Sequence, residues 1–311
     1  MKKNLLFYFF YWSIILFFIH QTAFSQADST KKDSVEKLPW TRSGSINVSF
    51  TNVQLTNWAA GGQNSIALGG IITGKAIRET KKDKWISEAT IQVGGAKVGG
   101  DNVLFKKTDD FFIINTQYNR KITEKWAYSG GLDLRTQTLP GFQFYNGADG
   151  KERRGKMLSE FFAPAFLTAN LGATYQTKIF TATISPLAGR LTIVQNDSLS
   201  KAGAFGVKPG EKTLLEFGPS ITAKLDVNLM ENINLKSNFS MFSRYDTWVA
   251  KGLWDVNWET LLTLKVNKYF TTSFATHLIY FNNVLILQSD GTSKQAVQFK
   301  QVLSVNFGVK F

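Results

Sequence analysis

LSVNFGVKF, residues 303–311, alternates apolar and polar positions without a break. Successive side chains of a strand point to opposite faces, so Leu303, Val305, Phe307, Val309 and Phe311 share one face, and Ser304, Asn306, Gly308 and Lys310 the other. A strand divided this cleanly suits two settings: the edge of a soluble sandwich, or the wall of a closed barrel whose outer face meets lipid. The rest of the chain decides between them.

The amino terminus directs the chain out of the cytoplasm. Lys2 and Lys3 precede an apolar run from Leu5 to Ile19, and Thr22, Ala23, Phe24 and Ser25 supply the small-residue pattern of a signal peptide (1–25) cleaved after Ser25. The run falls short of the roughly 20 apolar residues that a spanning helix needs. No cysteine follows it, which excludes a lipoprotein and leaves no disulfide. Residues 26–43, with Lys31, Lys32, Asp33, Glu36 and Lys37, read as a flexible polar lead-in. Beyond residue 25 no apolar stretch is long enough for a membrane helix. A mature chain that crosses a bilayer must therefore be a closed barrel, because an open sheet would leave backbone groups unpaired in lipid.

Composition agrees. Phe 26 and Trp 8 are high for a soluble domain, and the 19% of charged residues lies below the usual quarter. Mean hydropathy is only −0.11, as expected when apolar residues are spread by alternation instead of gathered in runs.

Between Gly44 and Phe311 about twelve segments show period-two patterning over the roughly 9 to 11 residues that a tilted strand needs to cross a membrane. In Leu214 to Leu229 the apolar face is Leu215, Phe217, Pro219, Ile221, Ala223, Leu225, Val227 and Leu229. A slip of one residue would turn Glu216, Lys224 and Asp226 toward lipid, where a basic side chain near the midplane costs about 2 to 4 kcal/mol, so the register is fixed. Connections alternate in length. Short ones fall near 79–84, 121–125, 176–178, 230–232 and 267–269, and long ones near 52–64, 99–108, 138–158, 195–211, 246–252 and 282–294. Outer-membrane barrels sort their turns and loops in this way, and a sandwich has no reason to. Trp85, Trp126, Phe180, Tyr269 and Phe270 follow the short turns, where an interfacial aromatic girdle belongs. In that setting Val305, Phe307, Val309 and Phe311 become the assembly signal of the closing strand.

Twelve strands about 4.8 Å apart and tilted about 40° leave a lumen on the order of 10 Å wide. The polar faces supply Lys75, Glu88, Lys97, Asp109, Asp133, Arg135, Glu216, Lys224, Asp226, Lys236, Arg244, Asp255, Glu259, Lys265, His277 and Lys300 to it. If the hairpins keep their apolar faces aligned, Asp226 lies opposite Lys236, Asp109 opposite Arg135, and Glu259 opposite His277. Such a lining is either a polar conduit for a small solute or a self-satisfied plug of ion pairs. The mature chain has one histidine, His277, whose parity places it inside, and it has no G-x-S-x-G elbow or H-E-x-x-H motif. No enzymatic activity, metal or other cofactor is expected.

The net charge of +13 becomes +11 once Lys2 and Lys3 leave with the leader. Basic residues gather in connections, with Arg78, Lys81, Lys82 and Lys84 in one turn and Lys151, Arg153, Arg154 and Lys156 in the longest loop. Nucleic acid does not suit an exported barrel, so the anionic partners expected are outer-membrane lipid, lipopolysaccharide or an acidic solute. Leu139, Pro140, Gly141, Phe142, Phe144 and Tyr145 in that loop could form a constriction or a docking edge for an envelope protein.

LTNWAAGG at Leu55 to Gly62 is similar to the signature opening of a family of exported Bacteroidota proteins, domain of unknown function 3078. RTQTLPGF (135–142), FFAPAFL (161–167), SPLAGRLTIV (185–194), AGAFGV (202–207) and VNWETLLTLKVNKY (256–269) resemble it as well. The resemblance implies location and barrel architecture but no activity. Asn57, Trp58, Gly61 and Gly62 suit a tight turn, since glycine accepts positive φ freely.

The expected fold is an all-β antiparallel transmembrane barrel over 44–311, of about twelve strands with ten or fourteen as alternatives, short periplasmic turns and long extracellular loops. The expected location is the outer membrane, with insertion by the barrel-assembly machinery. The function is a narrow channel or transporter for small solutes, or else a non-enzymatic structural or assembly component of the envelope.

Overall fold

The computed structural model describes residues 40–54, 63–246, 254–282, 286–287 and 292–310. The segments of period-two patterning form strands β1 (Trp40–Val53), β2 (Ser65–Glu79), β3 (Asp83–Val98), β4 (Lys106–Lys121), β5 (Trp126–Thr136), β8 (Ala165–Gln176), β9 (Phe180–Ile193), β10 (Thr213–Met230), β11 (Ile233–Phe242), β12 (Asp255–Lys265), β13 (Phe270–Tyr280) and β16 (Gln298–Lys310). All are paired antiparallel, each to its neighbour, in one closed ring of order β1-β16-β13-β12-β11-β10-β9-β8-β5-β4-β3-β2. The ring closes where Asn47 of β1 pairs with Gly308 of β16 and Val48 with Phe307. Two hairpins stand outside it, β6 (Gly141–Asn146) with β7 (Glu152–Ser159), and β14 (Ile286–Leu287) with β15 (Ser293–Lys294). β1 starts at Trp40, four residues ahead of the expected boundary at Gly44, because Trp40 to Ser43 extend the ladder opposite Arg78 to Lys75.

Burial is inverted relative to a soluble fold. Large apolar side chains point outward and are bare: Leu171 61%, Leu187 64%, Phe217 61%, Leu303 73% and Val305 62% exposed. Thr192, Ser185 and Glu216, by contrast, are buried inside the ring. A belt of exposed apolar residues this continuous is stable only against another apolar phase. The molecule is therefore a twelve-stranded transmembrane β-barrel.

The two ends differ as the loop lengths predict. At one end tight turns close the hairpins, for example Thr177 N–H donating to the Phe180 carbonyl at 2.7 Å. Aromatic side chains ring this end, with Trp40 and Trp85 centroids 5.9 Å apart, Trp126 and Tyr175 5.1 Å, and Tyr269 and Phe307 5.8 Å. At the other end longer segments pack over the rim. A helix α1 (Asp197–Lys201), capped by the Asn196 side chain accepting from Leu199 N–H at 3.0 Å, contributes Leu199 to a small core with Ala163, Val194 and Val207. The base of the β6–β7 hairpin is tied by Lys107 Nζ, which donates to Asp110 Oδ2 (2.9 Å), Gln137 Oε1 (2.8 Å) and the Leu139 carbonyl (2.9 Å).

One strand breaks the alternation. In β9 the ladder to β10 passes from Ala188 opposite Gly218 to Ser185 opposite Ser220, and the ladder to β8 also shifts there. This bulge contains Pro186, which a continuous ladder excludes. Its freed carbonyl accepts a hydrogen bond from the Tyr245 hydroxyl, which keeps a backbone acceptor in the barrel wall satisfied. Gly172 sits opposite the bulge, where a Cβ would collide with the Ile184 carbonyl oxygen.

Candidate functional site in the barrel lumen

The alternation that turns leucines to lipid turns the charges inward, and the ring brings together residues far apart in sequence. Toward the short turns, Glu88 of β3 is held by Lys75 Nζ of β2 at 2.6 Å and by Lys224 Nζ of β10 at 3.4 Å. β3 and β10 lie five places apart in the ring of twelve, so the Lys224–Glu88 contact crosses the lumen. Below it Asp226 pairs with Lys236 on the adjacent strand at 3.3 Å.

A second bridge crosses higher up. Arg135 Nη1 of β5 meets Glu259 Oε1 of β12 at 3.2 Å, again between strands five places apart. His277 Nε2 lies 3.4 Å from the same carboxylate oxygen and 2.5 Å from Asn257 Oδ1, to which it donates. Asn115 Nδ2 donates to Asp133 at 3.4 Å, and the Arg135 guanidinium lies 5.7 Å from the Phe111 ring. Lys300 of β16 binds Asp109 of β4, and also donates to the Thr108 carbonyl at 3.0 Å, which closes a third crossing near the long-loop end.

That end also holds a drier cluster, drawn from β9, β10 and β12 on one side of the ring. Arg190 donates from Nε to Glu216 Oε2 at 2.8 Å and from Nη2 to Asp255 Oδ2 at 2.6 Å, with its guanidinium 4.4 Å from the Phe242 ring. The other Asp255 oxygen accepts from Asn282 N–H at 2.8 Å and from its side-chain amide at 3.0 Å. Side-chain exposure here is 11% for Arg190, 2% for Glu216 and 9% for Asp255, so these charges interact with little screening from water.

Most of the expected lining residues therefore do face the lumen. Asp226 opposite Lys236 and Glu259 opposite His277 are both in register. Asp109 opposite Arg135 is not: Ile113 takes that place, because the turn after β4 includes Ile122 to Lys125 and shifts the hairpin register by four residues. Asp109 finds its cation across the barrel instead. Lys97 pairs with the outward Ile66 and so belongs to the outer face. Arg244 lies past the end of β11, at the rim, where it binds Asp246 at 2.8 and 2.9 Å and approaches Glu216 at 3.8 Å. Val305, Phe307 and Val309 face outward on β16 as expected. Phe311 and the turn with Asn57, Trp58, Gly61 and Gly62 lie outside the described residues.

Arg190, which binds two carboxylates and lies over the Phe242 ring, was not among the expected residues. Counting parity from Thr181 and Thr183 puts it outside, and only the bulge at Pro186 turns it in. That proline in mid-strand was the available signal.

Outside the barrel, the β6–β7 hairpin holds its aromatics under cations. Arg154 lies 5.2 Å from the Phe142 ring and Lys106 5.3 Å from that of Phe144, and Lys106 also binds Glu152 at 2.6 Å. The Lys106 ammonium and then the Leu104 N–H hold the Glu152 carboxyl below the usual carboxylate range.

The family described as a protein of unknown function (DUF3078) matches residues 50–142, a span that contains the LTNWAAGG and RTQTLPGF stretches and stops before the other four. No curated protein matches the sequence. Among solved structures, the chain is similar to the translocator domain of the autotransporter NalP from Neisseria meningitidis (10% identity, covering 89% of this chain and 90% of that one, TM-score 0.37). It is also similar to an outer membrane channel from Pseudomonas putida F1 (8% identity, 91% and 100% covered, TM-score 0.41) and to the NanC porin (9% identity, 86% and 98% covered, TM-score 0.37).

Proposed function

We propose that this barrel resides in the outer membrane, with its short turns in the periplasm, and is a narrow channel for small polar solutes that is closed at rest by ion pairs spanning its lumen. The observation that carries this reading is the set of crossings Lys224–Glu88, Arg135–Glu259 and Lys300–Asp109, which join strands five, five and four places apart in the ring of twelve. Pairs of this kind are partly hydrated, with side chains 27–47% exposed in the first two, and exposed pairs contribute only about 0 to 1 kcal/mol each. Such contacts block a bore without locking it. Both signs line the passage, so neither cations nor anions are excluded by the field alone.

Purified barrel in a planar bilayer should give rare, brief openings, and the double change Glu88→Gln with Glu259→Gln should lengthen them several-fold. A steady wide pore in the native chain would contradict closure, and a variant as silent as the native chain would contradict conduction. In the second case the reading that remains is a structural component of the envelope. It is favoured by the basic and aromatic β6–β7 hairpin outside the barrel, with Tyr145 53% exposed, which suits an envelope protein or the phosphates of lipopolysaccharide.

A further inference from the structure

The lipid-facing wall is not uniformly convex. Across β5, β8, β9 and β10 it sinks into a trough with a floor of outward small residues, Gly130, Ala169 and Gly189, between Leu132, Leu171 and Phe217. The ladder explains the shape. Leu132 pairs with Ala169, Ala169 with Gly189, and Gly189 with Phe217, so one row runs large, small, small, large. The hollow has a volume of about 620 Å³ and an almost wholly apolar lining, within the range of about 300 to 1,000 Å³ common for small-molecule sites.

Its short-turn end opens on Trp85 and Tyr118 in the aromatic belt. Directly beside Trp85 on the outer face stands Arg78, with Trp40 on its other flank. Arg78 is exposed and, among the described residues, has no carboxylate partner, whereas the nearby Arg120 is held by Asp83 at 2.8 Å. A guanidinium between two indoles at the interface matches a phosphate headgroup, since charge-assisted bonds from Arg to phosphate are among the stronger polar contacts. The apolar hollow that rises from it toward the membrane midplane matches an acyl chain.

We propose that this trough binds one anionic phospholipid of the periplasmic leaflet, with an acyl chain over Gly130, Ala169 and Gly189 and the phosphate against Arg78. The proposal rests on the membrane placement of the barrel and is independent of whether the lumen conducts. If the chain proved soluble without detergent, the membrane placement would fall. If the barrel needed detergent but retained no lipid, only the trough's occupant would.

The test is native mass spectrometry of the full chain in detergent, titrated with phosphatidylglycerol and phosphatidylethanolamine. The native chain should retain one phosphatidylglycerol in preference to phosphatidylethanolamine. Gly130→Leu fills the floor, and its Cβ would meet the movable end of Leu171 at 3.1 Å and the Asn170 carbonyl oxygen at an ordinary 3.9 Å, so retention should fall about tenfold. Arg78→Gln should keep a lipid but lose the preference for the anionic headgroup, and it carries the test should Gly130→Leu fail to fold. Unchanged retention in correctly folded Gly130→Leu, an unchanged headgroup preference in Arg78→Gln, or tighter retention of lipid A than of phosphatidylglycerol would each overturn the proposal.

Discussion

The Arg190–Glu216–Asp255 cluster and the Arg135–Glu259 bridge use the same chemistry in opposite ways. In the first, the partners sit on nearby strands at 2.6 to 2.8 Å and their side chains are at most 11% exposed. In the second, a single contact of 3.2 Å spans the lumen between side chains 27% and 33% exposed. Desolvation separates them. Removing the cation from a dry cluster takes the closest counter-charge from two buried carboxylates, leaving Arg244 at 3.8 Å from Glu216 and the Asn282 amides on Asp255, whereas a wet bridge can exchange its partner for water. The cluster is therefore a fixed part of the wall and the bridge a removable obstruction.

The largest effect expected from this contrast is on stability. Arg190→Met should destabilise the folded barrel by about 3 to 5 kcal/mol, while Arg135→Met should cost about 1 kcal/mol or less. Urea unfolding in detergent measures both, and equal losses would erase the distinction. A second test uses salt. The Debye length falls from about 10 Å at 0.1 M to about 3 Å at 1 M, so wet bridges weaken and open probability in a planar bilayer should rise more than conductance alone requires. An open probability independent of salt would place the closure elsewhere.

How much of this was legible in the sequence follows from the range of each interaction. The apolar face of Leu303 to Val309 and the pair Asp226–Lys236 are set by alternation and a tight turn, both local, and the structure shows both. The partner of Asp109 depends on which strand closes the far side of the ring, and no period in the sequence encodes that. The inward turn of Arg190 depends on a bulge that inverts parity halfway along β9. The expectations failed where the pattern is broken or where closure acts at a distance.

Smaller effects sharpen the comparison at the edges. The Glu152 carboxyl has a folded-state pKa below its unfolded value, so its bonds to Lys106 and Leu104 stabilise the hairpin above the ordinary glutamate value and are lost as pH falls through the depressed one. The protection of the Leu104 amide relative to its intrinsic exchange rate should fall in acid in the native chain but show no such transition in Glu152→Gln. Least of all should come from Lys236→Met. Its pair with Asp226 is 53% and 59% exposed, so stability should move by no more than about 0.5 kcal/mol in the same urea experiment. A larger loss would mean that the lumen is drier near the short turns than these exposures imply.

All of this depends on an apolar wall turned to acyl chains and an ionic interior, and β16 tests it most directly. Because the chain has no cysteine, single cysteines at positions 303, 304, 305 and 306 can each be labelled with a fluorophore in the reconstituted barrel. Quenching by spin-labelled lipid should be strong for Leu303→Cys and Val305→Cys and weak for Ser304→Cys and Asn306→Cys. Equal quenching at all four positions, or none at any of them, would contradict the account.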